Sequence, residues 1–313
     1  MAPTGHDQLV SAARTALGAG HRVVEVKRLR GGTKKGVYRL TFAGDSTVIV
    51  YSWAPEENYW PTARRTDPFA DASGIDLFES AHQCLRDVGV RTPEVYLVDR
   101  TADIAVVEDV AGGTLEDLLR RDPSAAEPAM VRLADWLALM RQHRSERWGK
   151  VAHVEPQDRS CAEVLLDRAL GDIDEAAARD ARIAGVRDRL VDVVHELAGR
   201  VRPRAEYVVV HGELGPDHVL VDRRGNPVLI DIEGLLWCDV EWEHVFLRLR
   251  FGEHYRWLAA DGLDGARLAF YSLAMHLSLV AGPLRLLDGD FPEREGMAAI
   301  AEINLLRVLD QVR

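Results

Sequence analysis

Residues 207–243 read YVVVHGELGPDHVLVDRRGNPVLIDIEGLLWCDVEWE, and the fold turns on how that stretch is parsed. Val208–Val210, Val219–Val221 and Val228–Ile230 are short β-branched runs bounded by turn residues, which predicts three brief strands. Between and after them come His211, Glu213, Asp217, His218, Asp231 and Glu233. Polar side chains at the ends of buried strands are held by a rigid scaffold, so chemistry is expected here. On an extended chain Asp231 and Glu233 would point to the same side. Two carboxylates so placed repel each other unless a cation sits between them. From Asp231 to Glu243 there are five acids and no base, which supports a metal and suggests a cationic substrate group near Asp239 or Glu241.

The spacing resembles the catalytic and metal-binding loops of the aminoglycoside phosphotransferase family, which shares the protein-kinase-like fold. His211-Gly212-Glu213 stands at the family's His-Gly-Asp, His218 at an Asn five residues later, and Ile230-Asp231-Ile232-Glu233 at its Ile-Asp dipeptide with a second acid two residues on. The resemblance implies Glu213 as catalytic base, Asp231 as the main metal ligand, and His218 and Glu233 as auxiliary metal ligands. Glu213 keeps the carboxylate but carries it one methylene further, and a misplacement of ~1 Å can cost about a hundredfold in rate. Imidazole is a softer ligand than an amide oxygen, so Mn²⁺ joins Mg²⁺ as a candidate, and Asp217 is an alternative oxygen ligand. The bland reading of His218 is a structural hydrogen bond inside its loop. Asp239 and Glu243 match a pair of acids that are mainly structural in the family.

Upstream, 6–18 has the spacing of an amphipathic helix, and Arg22–Leu29, Val37–Phe42 and Thr47–Trp53 alternate as strands. The turn Arg30-Gly31-Gly32-Thr33-Lys34-Lys35-Gly36 lies where kinase-like folds place a flap over the nucleotide phosphates. The third strand of such folds carries a Lys that holds the phosphates and pairs with a Glu on the next helix. Here that position falls on Tyr51, and no lysine lies between Lys35 and Lys150. The expectation is that Lys34 or Lys35 has taken over, with Lys35 the first choice, Gly32 allowing close backbone approach and Arg39 the fallback cation. Glu79, on a helix predicted over Ser73–Val88, stands at the family's helix glutamate and would pair with a flap lysine or with solvent. The long link over 54–71 carries Tyr59 and Trp60, either as a lid or stacking wall or as loop anchors. Two further strands, 92–98 and 104–108, lead to a Gly112-Gly113 break and a helix capped by Thr114, with Asp117 at the capping-box position. By the resemblance this is the hinge, where the backbone of Glu108 and Val110 would bind adenine.

Glu127 to Arg200 is predicted helical, as are 241–249, 266–287 and 294–311, with 252–262 a link. The apolar run Leu268–Leu287 is interrupted by His276, Gly282-Pro283 and Arg285 and reads as a core helix rather than a membrane span. The chain has 313 residues, 47% hydrophobic composition and a formal charge of −11. That is enough for one large domain or two lobes, and too acidic for a general nucleic-acid binder. Cys84, Cys161 and Cys238 are few, scattered and outside any ligand spacing, so reduced thiols and a cytoplasmic location are expected. The start shows no export signal.

These readings converge on an α+β, bilobal, protein-kinase-like fold. An N-lobe over 1–108 would hold an antiparallel sheet plus helix, a hinge would span 109–114, and 115–313 would form a mostly α-helical C-lobe. The function expected is ATP-dependent phosphoryl transfer, with a divalent metal, to a hydroxyl of a small molecule such as an antibiotic or related metabolite. The expected partners are that acceptor, no nucleic acid and no membrane, and the protein itself as a monomer or homodimer. Two alternatives stand beside it: a catalytically silent ATP-binding regulator, motivated by the altered letters, and a nucleotidyltransferase on the same fold.

Overall fold

The computed structural model describes residues 5–18, 20–29, 32–60, 67–69, 72–152 and 158–312. Arg30 and Gly31 of the flap, and 61–66 and 70–71 of the long link, lie outside the described residues. The chain divides into two compact units. The first comprises Met1–Met140, Lys150–Ala152 and Gly215–Leu235, the second Arg141–Gly149, His153–Leu214 and Leu236–Arg313.

The first unit begins with α1 (His6–Leu17), β1 (Val23–Arg28), β2 (Gly36–Phe42), β3 (Thr47–Ser52), α2 (Ile75–Val88), β4 (Val95–Asp99), β5 (Ile104–Glu108), α3 (Leu115–Arg121) and α4 (Glu127–Gln142). The strands form one antiparallel sheet in the order β1-β2-β3-β5-β4. Register pairs Tyr38 with Val50 and Val37 with Tyr51. Alternation therefore sends Tyr38, Leu40, Phe42, Val48, Val50, Ile104 and Val106 to one face, where they bury against Leu9, Ala12 and Ala13 of α1. Each large aliphatic or aromatic side chain so buried contributes about 1.5–3 kcal/mol. The opposite face carries Val37, Arg39, Ile49 and Tyr51. Tyr51 meets Phe78 of α2 edge-on, with ring centroids 5.7 Å apart, and Trp53 lies 5.4 Å from the same ring.

After β5 the chain turns through Gly112, whose φ is 139°. A Cβ there would stand 1.9 Å from the Val221 carbonyl oxygen, so only glycine allows this approach. The neighbouring Gly113 carbonyl accepts from the Val221 amide at 2.9 Å. Thr114 caps α3 as expected, its hydroxyl accepting from the Asp117 amide.

The chain then runs through β6 (Arg144–Ser145), β7 (Gly149–Lys150), α5 (Cys161–Ala177), α6 (Ala181–Ala184), α7 (Arg187–Gly199) and β8 (Tyr207–Val210). It returns to the first unit for β9 (Val219–Val221) and β10 (Pro227–Leu229), and closes in the second with β11 (Leu236–Cys238), α8 (Val240–Phe251), α9 (Gly265–Leu287) and α10 (Arg294–Asp310). In the second unit β8 pairs antiparallel with β6 and β11, and α9 packs between α5 and α10. By length and composition α9 could cross a membrane, but Phe270, Tyr271, Leu273, Leu277 and Val280 are buried in this unit, as a core helix requires. The three β-branched runs of 207–230 are strands, as the sequence suggests. β11 is not legible in the sequence, because three residues among acids show no period; pairing with Val208–Val210 makes it a strand. The link at 252–262 contains a 3₁₀ segment, Gly252–Trp257.

Candidate nucleotide and metal site

In the first unit the flap lysine reaches the acid motif. Lys35 precedes β2 and is buried; its Nζ donates to Asp231 Oδ1 at 2.8 Å and to Glu233 Oε1 at 2.5 Å. The same ammonium lies 5.0 Å from the centre of the Tyr51 ring. The cation therefore sits beside Tyr51, the third-strand position where the resemblance leads one to expect a lysine, and Tyr51 is part of the Tyr51–Trp53–Phe78 cluster. Burial works to lower the Lys35 pKa, but attraction to Asp231 and then Glu233 outweighs it and holds the ammonium above its ordinary value.

The two acids converge for a different reason than alternation. Asp231 adopts φ 58° and ψ 47°, left-handed for a non-glycine residue, and Ile232–Gly234 form a 3₁₀ turn. Such a conformation is uncommon, tolerated best by Asp and Asn, and concentrates at functional sites. The turn is held from below by Lys150, buried, whose Nζ donates to the carbonyls of Gly234 at 2.9 Å and Glu233 at 3.4 Å. Trp53 Nε1 donates to Glu233 Oε1 at 3.1 Å. Glu233 is buried, and its Oε2 has no hydrogen-bond partner among the described residues. The Asp231 side chain is 43% exposed. His218, in the 3₁₀ turn Pro216–His218, brings Nε2 to 3.5 Å from Asp231 Oδ2 and 3.7 Å from Asp217 Oδ2, while its carbonyl accepts from the Ile230 amide.

Among the described residues no three His, Cys, Asp or Glu side chains form a ready metal cluster. Mg²⁺ commonly takes one or two carboxylates and completes its shell with water and substrate phosphates. Asp231 and Glu233 already share one cation, and Glu233 Oε2, without a partner among the described residues, is a spare hard oxygen, so the pair fits such an ion.

Lys34 lies over the Trp60 ring at 5.9 Å, and Gly32 keeps a φ of 78° in the flap. Glu79 does not meet a flap lysine: Arg100 Nη2 stands 2.5 Å from its Oε2 as an ion pair. Arg39 is engaged at the hinge end, holding both Asp109 oxygens at 2.6 and 2.9 Å. The Glu108 amide donates to the Glu94 carbonyl, and the Glu108 side chain pairs with Arg91. Val110 is buried just after the sheet.

Glu213 belongs to the second unit and is exposed, following the fully buried His211. The same unit holds Glu243, buried on α8, whose Oε2 accepts from the Gly212 amide at 2.9 Å. Burial raises the Glu243 pKa to about 7, opposed by backbone hydrogen bonds at Gly212 and His211. Asp239 and Glu241 are buried and answered internally, which removes them as a contact for a cationic substrate. Arg204 grips both Glu241 oxygens at 2.8 and 3.0 Å, and Arg267 and the Tyr271 hydroxyl reach Asp239.

Sequence reasoning missed Lys150, Trp53 and Glu57. The scarcity of lysine, only four in the chain, was a usable signal for Lys150.

A sequence model of the phosphotransferase enzyme family matches residues 25–282. No curated protein matches the chain. Among solved structures, a thermostable mutant of the aminoglycoside phosphotransferase APH(4)-Ia is similar, with a TM-score of 0.64 at 15% identity over 93% of this chain and 94% of that one. The choline kinase LicA from Streptococcus pneumoniae has a TM-score of 0.64 at 15% identity, covering 98% and 99%. A GDP complex of an aminoglycoside 2'-phosphotransferase IIIa mutant has 0.65 at 17%, covering 98% and 97%. At these identities the likeness shows the α+β, protein-kinase-like fold that the sequence suggested.

Proposed function

The chain belongs to the phosphotransferase enzyme family, and from that premise we propose that it transfers the γ-phosphoryl group of ATP to a hydroxyl of a small molecule. The observation that carries this reading is the position of Lys35. A flap lysine delivers its ammonium beside Tyr51, to the place of the missing strand lysine and against the two acids of the metal motif. Neighbours of the same fold are described with ADP or an ATP analogue together with hygromycin B, which supports a nucleotide and a hydroxylated acceptor here.

In this reading Lys35 exchanges part of its ion pairing with Asp231 and Glu233 for the polyphosphate oxygens. Asp231 would hold a divalent cation, with Glu233 and His218 beside it, and that cation would supply charge neutralisation for the polyphosphate. The Glu108 amide is committed to Glu94, so the Glu108 carbonyl and the Val110 amide would receive the adenine. Glu213, exposed after the buried His211, would orient the acceptor hydroxyl and take its proton. Phosphoryl transfer asks the protein mainly for positioning and electrostatics, and these residues supply both.

The test is incubation with MgATP and with MnATP against a panel of hydroxylated metabolites, amino alcohols and aminoglycosides, followed by product mass. A mass gain of one phosphoryl group on an acceptor supports the proposal. An adenylylated product, or ATP binding without turnover across the panel, refutes it.

A further inference from the structure

The link that follows β3 is tied to the flap and its flanking strands at Glu57, Tyr59 and Trp60. Its 3₁₀ turn, Pro55–Glu57, presents Glu57, which is 1% exposed. One Glu57 oxygen pairs with Arg28 Nη2 at 2.7 Å, and the other accepts from the Tyr38 hydroxyl. Arg28 and Tyr38 are cross-strand partners in β1 and β2, the two strands that the flap connects. The carboxylate therefore clamps the base of the flap hairpin.

The clamp is fitted to the residue next to Lys35. A Cβ on Gly36 would stand 2.5 Å from Glu57 Cδ and 2.8 Å from Tyr38 Cε2, so the missing side chain of Gly36 is the room that Glu57 fills. Successive residues of a strand point to opposite faces. Glu57 presses the backbone at Gly36 from one face, while the Lys35 ammonium lies on the other, against Tyr51. Further along, the Tyr59 amide donates to the Thr33 carbonyl at 2.9 Å, and Trp60 Nε1 donates to Thr33 Oγ1 at 2.8 Å. Ser73 Oγ donates to the Lys34 carbonyl at 3.1 Å. Thr33 and Gly36 are held by the link at Tyr59, Trp60 and Glu57, Lys34 is held by Ser73 ahead of α2, and Lys35 lies among them.

Burying a carboxylate is costly unless it is paired and hydrogen-bonded, and an exposed link could be anchored by apolar contacts alone. The charge, its partners Arg28 and Tyr38 and the glycine opposite it together fix the origin of the Lys35 side chain. We infer that Glu57, seconded by Tyr59 and Trp60, is a positioning residue that holds the flap so that Lys35 is presented to the nucleotide phosphates. This rests on the phosphotransferase reading of the same site and adds to it the device that replaces a lysine rooted in the sheet. A lysine carried by a flap needs such a device, because flap freedom would otherwise spread its ammonium over several positions.

The experiment compares Glu57→Ala, Glu57→Gln, Tyr38→Phe and Trp60→Phe with the unaltered protein. Two readouts are taken: KM for MgATP separately from kcat, and the rate of trypsin cleavage after Lys34 or Lys35 without nucleotide. Glu57→Ala should raise KM roughly tenfold or more, leave kcat within about threefold, and speed flap cleavage by a similar factor. Glu57→Gln, which keeps the acceptor for Tyr38, should recover part of both effects. If Glu57→Ala does not fold, Tyr38→Phe and Trp60→Phe should show the same paired changes in smaller measure. Cleavage and KM both within about twofold of the unaltered protein would overturn the inference, as would faster cleavage with KM unchanged. The cleavage arm needs no turnover. An unaltered protein that binds no ATP would defeat the phosphotransferase reading, and the cleavage rates would still decide whether Glu57 holds the flap.

Discussion

Replacing Glu243 by Gln should change how stability depends on pH. The Glu243 carboxyl is buried on α8, and burial lifts its pKa from an ordinary 4.5 to about 7. Between those values the folded protein binds a proton that the unfolded chain has released. Stability therefore falls as pH rises through this window, by about 1.4 kcal/mol per pH unit, and levels off above about 7. Across the window the loss is about 3 kcal/mol. His244, lowered to about 4 chiefly by burial, works in the opposite sense between about 4 and 6.5, since there the unfolded chain binds more protons. The unaltered protein thus shows the two effects partly cancelled. Gln keeps the carbonyl that accepts from the Gly212 amide and cannot ionise, so subtracting the two pH profiles isolates Glu243. Urea denaturation at closely spaced pH values from 4.5 to 8 is the assay. Relative to its offset at pH 4.5, Glu243→Gln should gain about 3 kcal/mol by pH 8. Parallel profiles would refute the reasoning.

Glu213→Ala should lower kcat by about 10²–10⁴ with thermal stability nearly unchanged, because the side chain is exposed; steady-state kinetics and a melting curve check both. Gly112→Ala should destabilise the first unit by more than about 2 kcal/mol, since the new Cβ would collide with the Val221 carbonyl, as denaturant titration would show. Thiol labelling at pH 8 should be slow in the native protein: Cys161 and Cys238 are buried and Cys84 is pushed up to about 11 by burial, whereas all three react in denaturant.

The sequence made the sheet legible because its strands are β-branched and separated by turn residues, and it made the order of motifs legible because that order is one-dimensional. What it hid were contacts distant along the chain. The acids after Asp231 looked like a field awaiting a cation, yet Asp239 and Glu241 are answered by Arg204 and Arg267, which no local pattern associates with them. Asp231 and Glu233 looked extended, and a left-handed residue followed by a 3₁₀ turn brings them together instead. Glu79 matched a pairing position, but Arg100 of the β4–β5 turn takes it. Glu57 gave no signal in a link of irregular composition, because its meaning depends on the glycine it faces. Tyr51 was informative by contradiction: an aromatic at a lysine position pointed to the flap, where the ammonium is found.

The central claim is that Lys35 serves as the phosphate clamp of a phosphotransferase. Its most direct test is the dissociation constant for MgATP, by calorimetry, of the unaltered protein, Lys34→Met and Lys35→Met. Lys35→Met should weaken binding by about a hundredfold, the loss expected when one partner of a buried charged contact is removed. Lys34→Met, whose ammonium lies over Trp60 instead, should stay within about threefold of the unaltered protein. Equal affinities for all three proteins would contradict the account.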